Sequence, residues 1–282
     1  MMAQSSVTAK RVIVCADDFA VHAAASLGIA ELARAGRISA TSVMVLSPRW
    51  PQDVALLRDL PQAIDIGLHL DWTSNFAVAS GHGMSLGAAM LKATLGGFGR
   101  DAANLQTSAV VEHQLDAFEA QWKAPPDYVD GHQHVQQFAG IREALVQALV
   151  KRYGAGSGSM PYLRISRAPR GHADLKSRVI SAMGASALEE LAVGAGLPVV
   201  HALLGIYDFA GDQNRYGALM QGWLQAAPQG CIIMCHPARE VEQQDAIGAA
   251  RVREFSYLGA EQFHTALERA SVRVVRRDFL DR

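Results

Sequence analysis

Two acidic residues stand side by side near the start of the chain, directly after a run of branched apolar residues. The run Val12–Cys15 is typical of a strand buried on both faces, and Asp17 and Asp18 follow it almost at once. Two neighbouring carboxylates repel each other unless a cation or a shared proton relieves the repulsion. The pair therefore indicates a cation site. The plainer alternative is a polar loop in which Asp18 caps the next helix.

Three of the ten histidines stand at or just after the ends of other strand-like runs. One carboxylate and two imidazoles form a common ligand set for a divalent metal, with positions left open for water and substrate. Asp18, together with two of these histidines, is a candidate for such a set. With the runs that precede them, the histidines are His69 in Ala63–Leu70, His132 after Tyr128 and Val129, and His236 after Gly230–Met234.

Hydrolysis at a metal with open coordination positions also needs groups that accept and donate protons. Water bound to a divalent metal becomes acidic enough to act as a nucleophile near neutral pH. Asp17 is adjacent to the candidate ligand Asp18 and is a candidate base. An unperturbed histidine titrates in the range that suits an acid, so His236 is the candidate acid. Each residue also has a plainer interpretation: a core or hydrogen-bonded histidine for His69, a strand-end cap for His236, and a structural ion pair for Arg164.

The segment Asp130–His134, which contains two histidines, is harder to explain as a simple polar turn. His132 and His134 are two residues apart, and this spacing places side chains on the same side of an extended segment. The other histidines are predicted to be surface or structural residues. They are His22, His82, His113, His172, His201 and His264.

The elements that must position these residues alternate between strands and helices about seven or eight times along the chain. This alternation predicts an α/β barrel of parallel strands, whose carboxyl ends meet on one face. Thr73–Gly99 is predicted to be a long irregular insertion over that face. Helices are predicted at Ala23–Ala35, Pro51–Asp59, Thr107–Trp122, Ile141–Tyr153, Ala173–Val193, Tyr216–Ala226 and Gly259–Ala270, and further strands at Ile38–Leu46, Tyr162–Ile165, Pro198–Leu204 and Ser271–Val275.

Composition narrows the class of protein. Of the 282 residues, 50% are hydrophobic and 19% are charged, which is typical of a globular chain of one large domain. A formal net charge of -1 gives no general attraction to nucleic acid. No apolar run is long enough to predict a membrane span, and Met1–Lys10 is predicted to be flexible and carries no apolar signal core. Three cysteines form no disulfide framework, so buried thiols and a cytoplasmic location are expected.

Four segments occur in a characteristic order along the chain: Ala16–Phe19, Gly67–Leu70, Asp130–Val135 and Cys235–Pro237. Together they resemble the YdjC-like carbohydrate deacetylases, a family that includes chitooligosaccharide deacetylases and deacetylases associated with hopanoid biosynthesis. The resemblance runs from about Arg11 to about Val275, and we expect a single YdjC-like deacetylase domain over residues 1–282. It implies a deformed (β/α) TIM-like barrel related to the polysaccharide deacetylases.

The resemblance also implies an activity and roles for individual residues. The implied reaction is removal of an N-acetyl group from an acetylated amino sugar with the help of a divalent metal, Mg²⁺ or Zn²⁺, in a protein that forms a homodimer. Asp17 would be the base and His236 the acid, and Arg164 would orient Asp17 or bind substrate. The metal ligands would be Asp18, His69 and His132.

The chain departs from the family pattern at three positions. Ala20 stands where a glycine usually follows the acidic pair, Ser26 where an asparagine is usual, and Gln136 where a histidine often closes the third segment. None of the three is an expected ligand, so we expect the metal site to survive. Substrate selection is expected to depend on Thr73–Gly99 and Gly205–Gly211, which match no known pattern.

Two other functions fit parts of the sequence. A metal-dependent phosphoester hydrolase would need a basic cluster for phosphate, and only Arg164, Arg167 and Arg170 come near such a cluster. A non-catalytic sugar-binding barrel would not need the complete set of acids and histidines. Deacetylation therefore explains more of the observed residues than either alternative.

Overall fold

Nine strands and eleven helices make up most of the chain that the structure describes. This structure is a computed structural model, and it describes residues 9–99, 101–154, 160–172 and 174–279. The strands are β1 Lys10–Phe19, β2 Ala40–Val43, β3 Asp65–Leu70, β4 Tyr128–Gly131, β5 Tyr162–Arg164, β6 Val199–Val200, β7 Leu203–Leu204, β8 Ile232–Cys235 and β9 Val272–Val274.

Helices follow most of the strands. They are α1 Ala23–Arg34, α2 Trp50–Arg58, α3 Asn75–Ala79, α4 Leu86–Thr94, α5 Asp101–Trp122, α6 Ile141–Tyr153, α7 Leu175–Ala182, α8 Ala185–Gly194, α9 Gln213–Ala226, α10 Gly248–Gly259 and α11 Glu261–Arg269. Two short 3-10 helices lie at His132–Gln137 and Arg277–Phe279. Within the described ranges, no helix is both long enough and apolar enough to cross a membrane.

Eight of the strands form a nearly closed parallel barrel. Their order is β6-β5-β4-β3-β2-β1-β8-β7, and β9 pairs with β1 outside this path. Every recorded pair is parallel, which places the carboxyl ends of the strands on one face. The predicted deformed α/β barrel is therefore confirmed.

Two apolar layers hold β1 at the centre of the sheet. Val12 and Val14 pack with the helices in the outer layer, whereas Ile13 and Cys15 pack with the side chains that fill the barrel. All four are fully buried. This burial on both faces explains why the strand is a continuous apolar run with no polar alternation.

Several elements differ from the expectations. The insertion Thr73–Gly99 is not irregular, because Ser74 and Ser85 cap the short helices α3 and α4. The helix predicted over Ala173–Val193 is two helices separated at Gly184. There φ is +127°, and a Cβ atom would lie 2.2 Å from the carbonyl oxygen of Gln137. Pro198–Leu204 contains two short strands instead of one.

Helix α10 was not expected. Its inward face carries two charged residues, Arg251 and Glu254, among the buried positions. These charges interrupt the apolar periodicity from which a helix is recognised. Another expectation falls mostly outside the described residues: of the N-terminus Met1–Lys10, expected to be flexible, the structure describes only residues 9 and 10.

Candidate active site

An irregularity at the end of β1 turns both acidic residues toward the same cleft. Adjacent residues of a regular strand point to opposite faces, yet Asp17 and Asp18 both line one cleft. Asp18 has φ of +67°, a left-handed conformation that aspartate tolerates better than most residues. β1 advances by three residues where β2 advances by two, between the pairs Ala16–Thr41 and Phe19–Val43. The extra residue is a β-bulge, which re-aims the side chains.

Two departures from the family pattern lie next to this bulge and contact each other. Ala20 has φ of +71°, a conformation that glycine adopts without steric cost. Its backbone N–H donates to Ser26 Oγ at 3.1 Å, and its carbonyl accepts from Ser47 Oγ at 2.6 Å. Ser26 Oγ in turn donates to Asp53 at 2.6 Å. Hydrogen bonds on both sides of Ala20 hold the backbone in this conformation.

Asp18 lies between two imidazoles. Its Oδ1 is 3.1 Å from His132 Nδ1 and 3.3 Å from His69 Nε2. The three candidate ligand atoms all lie within 4.8 Å of one another. Ligand atoms at about 2.0–2.2 Å from a tetrahedral metal are roughly 3.3 Å apart, so the spacing and the chemistry of this donor set fit a divalent metal. His132 is 22% exposed, which leaves one side of the set open to the cleft.

A buried carboxylate fixes the ring of His69. Its Nδ1 is 2.6 Å from Asp130 Oδ1, so Nε2 is the nitrogen available to a metal. Burial opposes a charged imidazole, but Asp130 and Asp18 outweigh it and raise the pKa of His69 to about 10. A metal ion would therefore displace a proton from His69 when it binds.

Asp17 makes a bidentate ion pair with Arg164. The two nitrogen–oxygen distances are 2.7 and 2.8 Å, and the guanidinium is fully buried. Burial alone would raise the pKa of Asp17, but Arg164 outweighs it and holds this pKa below its usual range. Arg164 contacts Asp17 and is not among the residues that line the cleft. Its geometry therefore fits orientation of Asp17 better than a contact with substrate.

The candidate ligand and the candidate base are joined by a ring of contacts. Asp18 contacts His69, His69 contacts Asp130, and Arg164 NH1 lies 2.8 Å from Asp130 Oδ2 as an ion pair. Arg164 then contacts Asp17, which is joined to Asp18 by the peptide bond. We call this set the charge ring.

A second group of possible ligands consists of Cys15, Asp17 and Asp130, which are all buried. The guanidinium of Arg164 contacts both carboxylates. Burial raises the pKa of the Cys15 thiol well above its usual value, which disfavours the thiolate that a metal requires. These residues therefore form an ion-pair cluster and not a second metal site.

His236 enters the same cleft from the end of β8. Its backbone N–H donates to Glu254 Oε2 at 2.6 Å, and its ring packs edge-on against Phe209. The ring Nδ1 is buried and has no hydrogen-bond partner among the described residues. Burial lowers the pKa of His236 to about 4, so the imidazole is neutral near pH 7.

The two histidines of the third segment do not act as an extended pair. Gln133 and His134 have φ of +53° and +64°, and His134 Nδ1 lies 3.0 Å from Ser166 Oγ. His132 instead reaches Asp18, so the segment is not extended, although both histidines line the cleft. Gln136, at the third departure from the family pattern, donates to the carbonyl of Arg164 at 3.1 Å. It supports the backbone of β5.

Three site residues were missed in the sequence. Arg251 donates to Asp18 Oδ2 at 2.7 Å, and Asp245 accepts from Arg251 at 2.7 Å. Glu254 accepts from the backbone of His236. The only indication of them in the sequence was the spacing of Arg251 and Glu254, three residues apart with no apolar pattern around them. His22, expected to be a surface or structural residue, caps α1 and contacts Asp245.

The pKa of Glu254 leads to a prediction about stability. Burial outweighs the hydrogen bonds from Tyr207 and His236 and raises this pKa from 4.5 to about 7. The folded protein therefore binds this proton more tightly than the unfolded chain, so the associated stability is present below pH 4.5 and is lost as pH rises through 7.

We expect the free energy of unfolding of the wild type, relative to Glu254→Gln, to fall by about 3 kcal/mol between pH 4.5 and 7.5. Urea unfolding of both proteins at the two pH values measures this difference. The variant provides the control, because glutamine does not titrate. A difference that does not change with pH would show that folding does not shift the pKa of Glu254.

The cleft itself has a volume of about 1020 Å³ and contains Asp17, Asp18, His69, His132 and His236. Much of its wall is apolar and comes from α3, α4, α7 and the residue that follows α7. The insertion contributes Phe76, Leu86 and Met90, and α7 with the residue after it contributes Leu175, Val179 and Met183.

Comparisons with known proteins agree with this architecture. The chain matches the family model described as YdjC-like protein over residues 11–269. A carbohydrate deacetylase of Mus musculus is 29% identical over 161 residues, which cover 54% of this chain and 50% of that protein. The match thus spans about half the length of this curated relative.

A solved structure shows the same fold. It is that of a candidate cellobiose-phosphate cleavage protein from Enterococcus faecalis, with a TM-score of 0.69 and 19% identity over 96% of this chain and 99% of that chain. The match to the family model covers most of the chain and includes all six candidate site residues. The chain therefore belongs to the YdjC-like protein family.

Proposed function

We propose that the protein is a metal-dependent carbohydrate N-deacetylase. One observation carries the proposal: a carboxylate between two imidazoles, at Asp18, lies in one cleft with the ionised Asp17 and with His236. Membership of the YdjC-like family and the similarity to a carbohydrate deacetylase support this function. We propose that a single domain carries out the whole reaction.

In this mechanism, Asp18 Oδ1, His69 Nε2 and His132 Nδ1 would hold a divalent ion such as Mg²⁺ or Zn²⁺. Such an ion, when bound, supplies polarisation of the amide carbonyl and acidification of a water molecule. Asp17 accepts the proton of the attacking water, with Arg164 fixing its orientation. His236, which burial keeps neutral in the resting site, must first gain a proton. The proton that Asp17 removes from water balances the one that His236 passes to the amide nitrogen as the C–N bond breaks. Acetate and a free amine are the products.

The walls of the cleft bear on the substrate. Leu175 and Val179 are 78% and 48% exposed and line the cleft, so they present apolar surface to whatever occupies it. With Phe76, Leu86 and Met90 they give this part of the cleft lining little capacity for hydrogen bonds. An apolar wall favours binding of an amino sugar that carries an apolar group, such as a glycolipid, rather than a free oligosaccharide.

Acetate release from a panel of N-acetylated substrates tests the function. The metal-stripped protein should release no acetate, and one of Mg²⁺, Mn²⁺ or Zn²⁺, added singly, should restore release. The panel pairs chitooligosaccharides with alkyl N-acetylglucosaminides of increasing chain length, and we expect the alkyl compounds to react faster. Absence of acetate with every metal and every substrate would contradict the proposal.

The alternative functions receive less support. A phosphoester hydrolase would use Arg164 and Arg167 for phosphate, but Arg164 is buried against Asp17 and Arg167 pairs with Glu189. In a sugar-binding barrel without catalytic activity, Asp17 and His236 would have no role. Homodimer formation and a cytoplasmic location stay predictions from the sequence.

A further inference from the structure

Helix α10 carries two charged side chains that are buried almost completely. Arg251 is 3% exposed and Glu254 is not exposed at all. Charged groups are rarely buried unless they are paired, because removal from water disfavours the charged form. The two residues are three positions apart and so share one face of the helix. The residues that contact these two side chains therefore indicate the role of this face of the helix.

Arg251 holds one oxygen of the candidate ligand Asp18. Its NH2 group donates to Asp18 Oδ2 at 2.7 Å, whereas the two imidazoles approach Oδ1. One carboxylate oxygen is thus engaged by the guanidinium and the other is left for a metal. The planar, rigid arrangement of donors in arginine suits this task better than the single ammonium group of lysine.

A second carboxylate holds Arg251 itself. The Nε–H of Arg251 donates to Asp245 Oδ2 at 2.7 Å, and the same oxygen is 3.1 Å from His22 Nε2. His22 Nδ1 accepts the backbone N–H of Ala25 at the start of α1. Arg251 is therefore fixed between the acidic pair and the helix that follows it.

Glu254 contacts the candidate acid through its backbone. Oε2 accepts from the N–H of His236 at 2.6 Å, and Oε1 accepts from the hydroxyl of Tyr207 at 2.6 Å. Glu254 is not among the residues that line the cleft, so it does not meet substrate. The direct contact of Glu254 with a candidate catalytic residue is therefore its hydrogen bond from the backbone of His236.

We propose that Arg251 and Glu254 are positioning residues, through which α10 fixes the candidate metal ligand Asp18 relative to the candidate acid His236. The part that concerns His236 as the acid rests on the proposed function. The part that concerns Asp18 rests only on metal binding.

Metal affinity tests the role of Arg251. Titration calorimetry of the metal-free protein should show about 10–100-fold weaker binding in Arg251→Gln, the usual effect of losing a group that orients a ligand. Arg251→Lys keeps the charge but cannot hold both Asp18 and Asp245, so its affinity should be intermediate. Thermal unfolding of the same samples establishes that both variants are folded.

Arg276→Gln is the matched control, because Arg276 pairs with the buried Asp65 at the opposite end of β3. We expect this variant to lose stability but to bind metal as the wild type does. Wild-type affinity in Arg251→Gln, or an equal loss in Arg276→Gln, would overturn the role of Arg251.

Turnover and an NMR signal test the role of Glu254. In Glu254→Ala, kcat should fall about tenfold while KM and metal affinity stay unchanged, and the backbone amide signal of His236 should shift. Glu254→Gln retains an acceptor and should recover most of the turnover. An unshifted signal or an unchanged kcat in Glu254→Ala would overturn this role. If the wild type releases no acetate, the proposed function fails, and metal affinity and the amide signal still decide the positioning roles.

Discussion

Asp18→Asn should bind divalent metal about 100-fold more weakly than the wild type, and acetate release should fall by about 10³-fold. Asparagine has nearly the same shape, so the loss reflects charge. The substitution removes the anion from between His69 and His132 and leaves Arg251 with Asp245 but without the carboxylate of Asp18. Calorimetric metal titration and acetate release at saturating metal measure the two effects.

Asp65→Asn is the control for this substitution. Asp65 is also buried and also accepts a hydrogen bond from an arginine, Arg276 at 2.8 Å, but it lies at the start of β3. We expect it to reduce stability without weakening metal binding. Full metal occupancy in Asp18→Asn at wild-type concentrations would show that the ligand assignment is wrong.

Asp17→Asn should show the opposite combination, with metal affinity near that of the wild type and kcat reduced by about 10²–10⁴-fold. The amide can still accept one hydrogen bond from Arg164, but it cannot take a proton from water. Single-turnover acetate release, measured beside a metal titration, separates the two properties. Wild-type kcat in this variant would remove Asp17 from the proton transfer.

The location of the candidate site could be predicted from the sequence because parallel strands end on one face. Asp17, Asp18, His69, His132 and His236 come from β1, β3, β4 and β8 or the residues just after them, and all line one cleft. Each strand was recognisable from its apolar run. Placement at strand ends then distinguished these histidines from the others, and the family resemblance implied their individual roles.

The details of the site could not be predicted for two physical reasons. The left-handed backbone of Asp18 depends on pairing between β1 and β2, which no local pattern records. The inward face of α10 is polar at Arg251 and Glu254, so the helix lacks the apolar stripe that sequence reading requires. Tertiary contacts, which the pattern of apolar residues does not encode, determine both features.

The charge ring couples two equilibria: metal binding beside Asp18 and proton binding at Asp17. A divalent ion beside Asp18 adds positive charge to a closed path that returns through His69, Asp130 and Arg164 to Asp17. By linkage, the factor by which the ion weakens proton binding at Asp17 equals the factor by which a proton at Asp17 weakens ion binding. In the proposed mechanism, loading the ion would thus keep Asp17 in the form that can accept a proton, and protonated Asp17 would favour release of the ion.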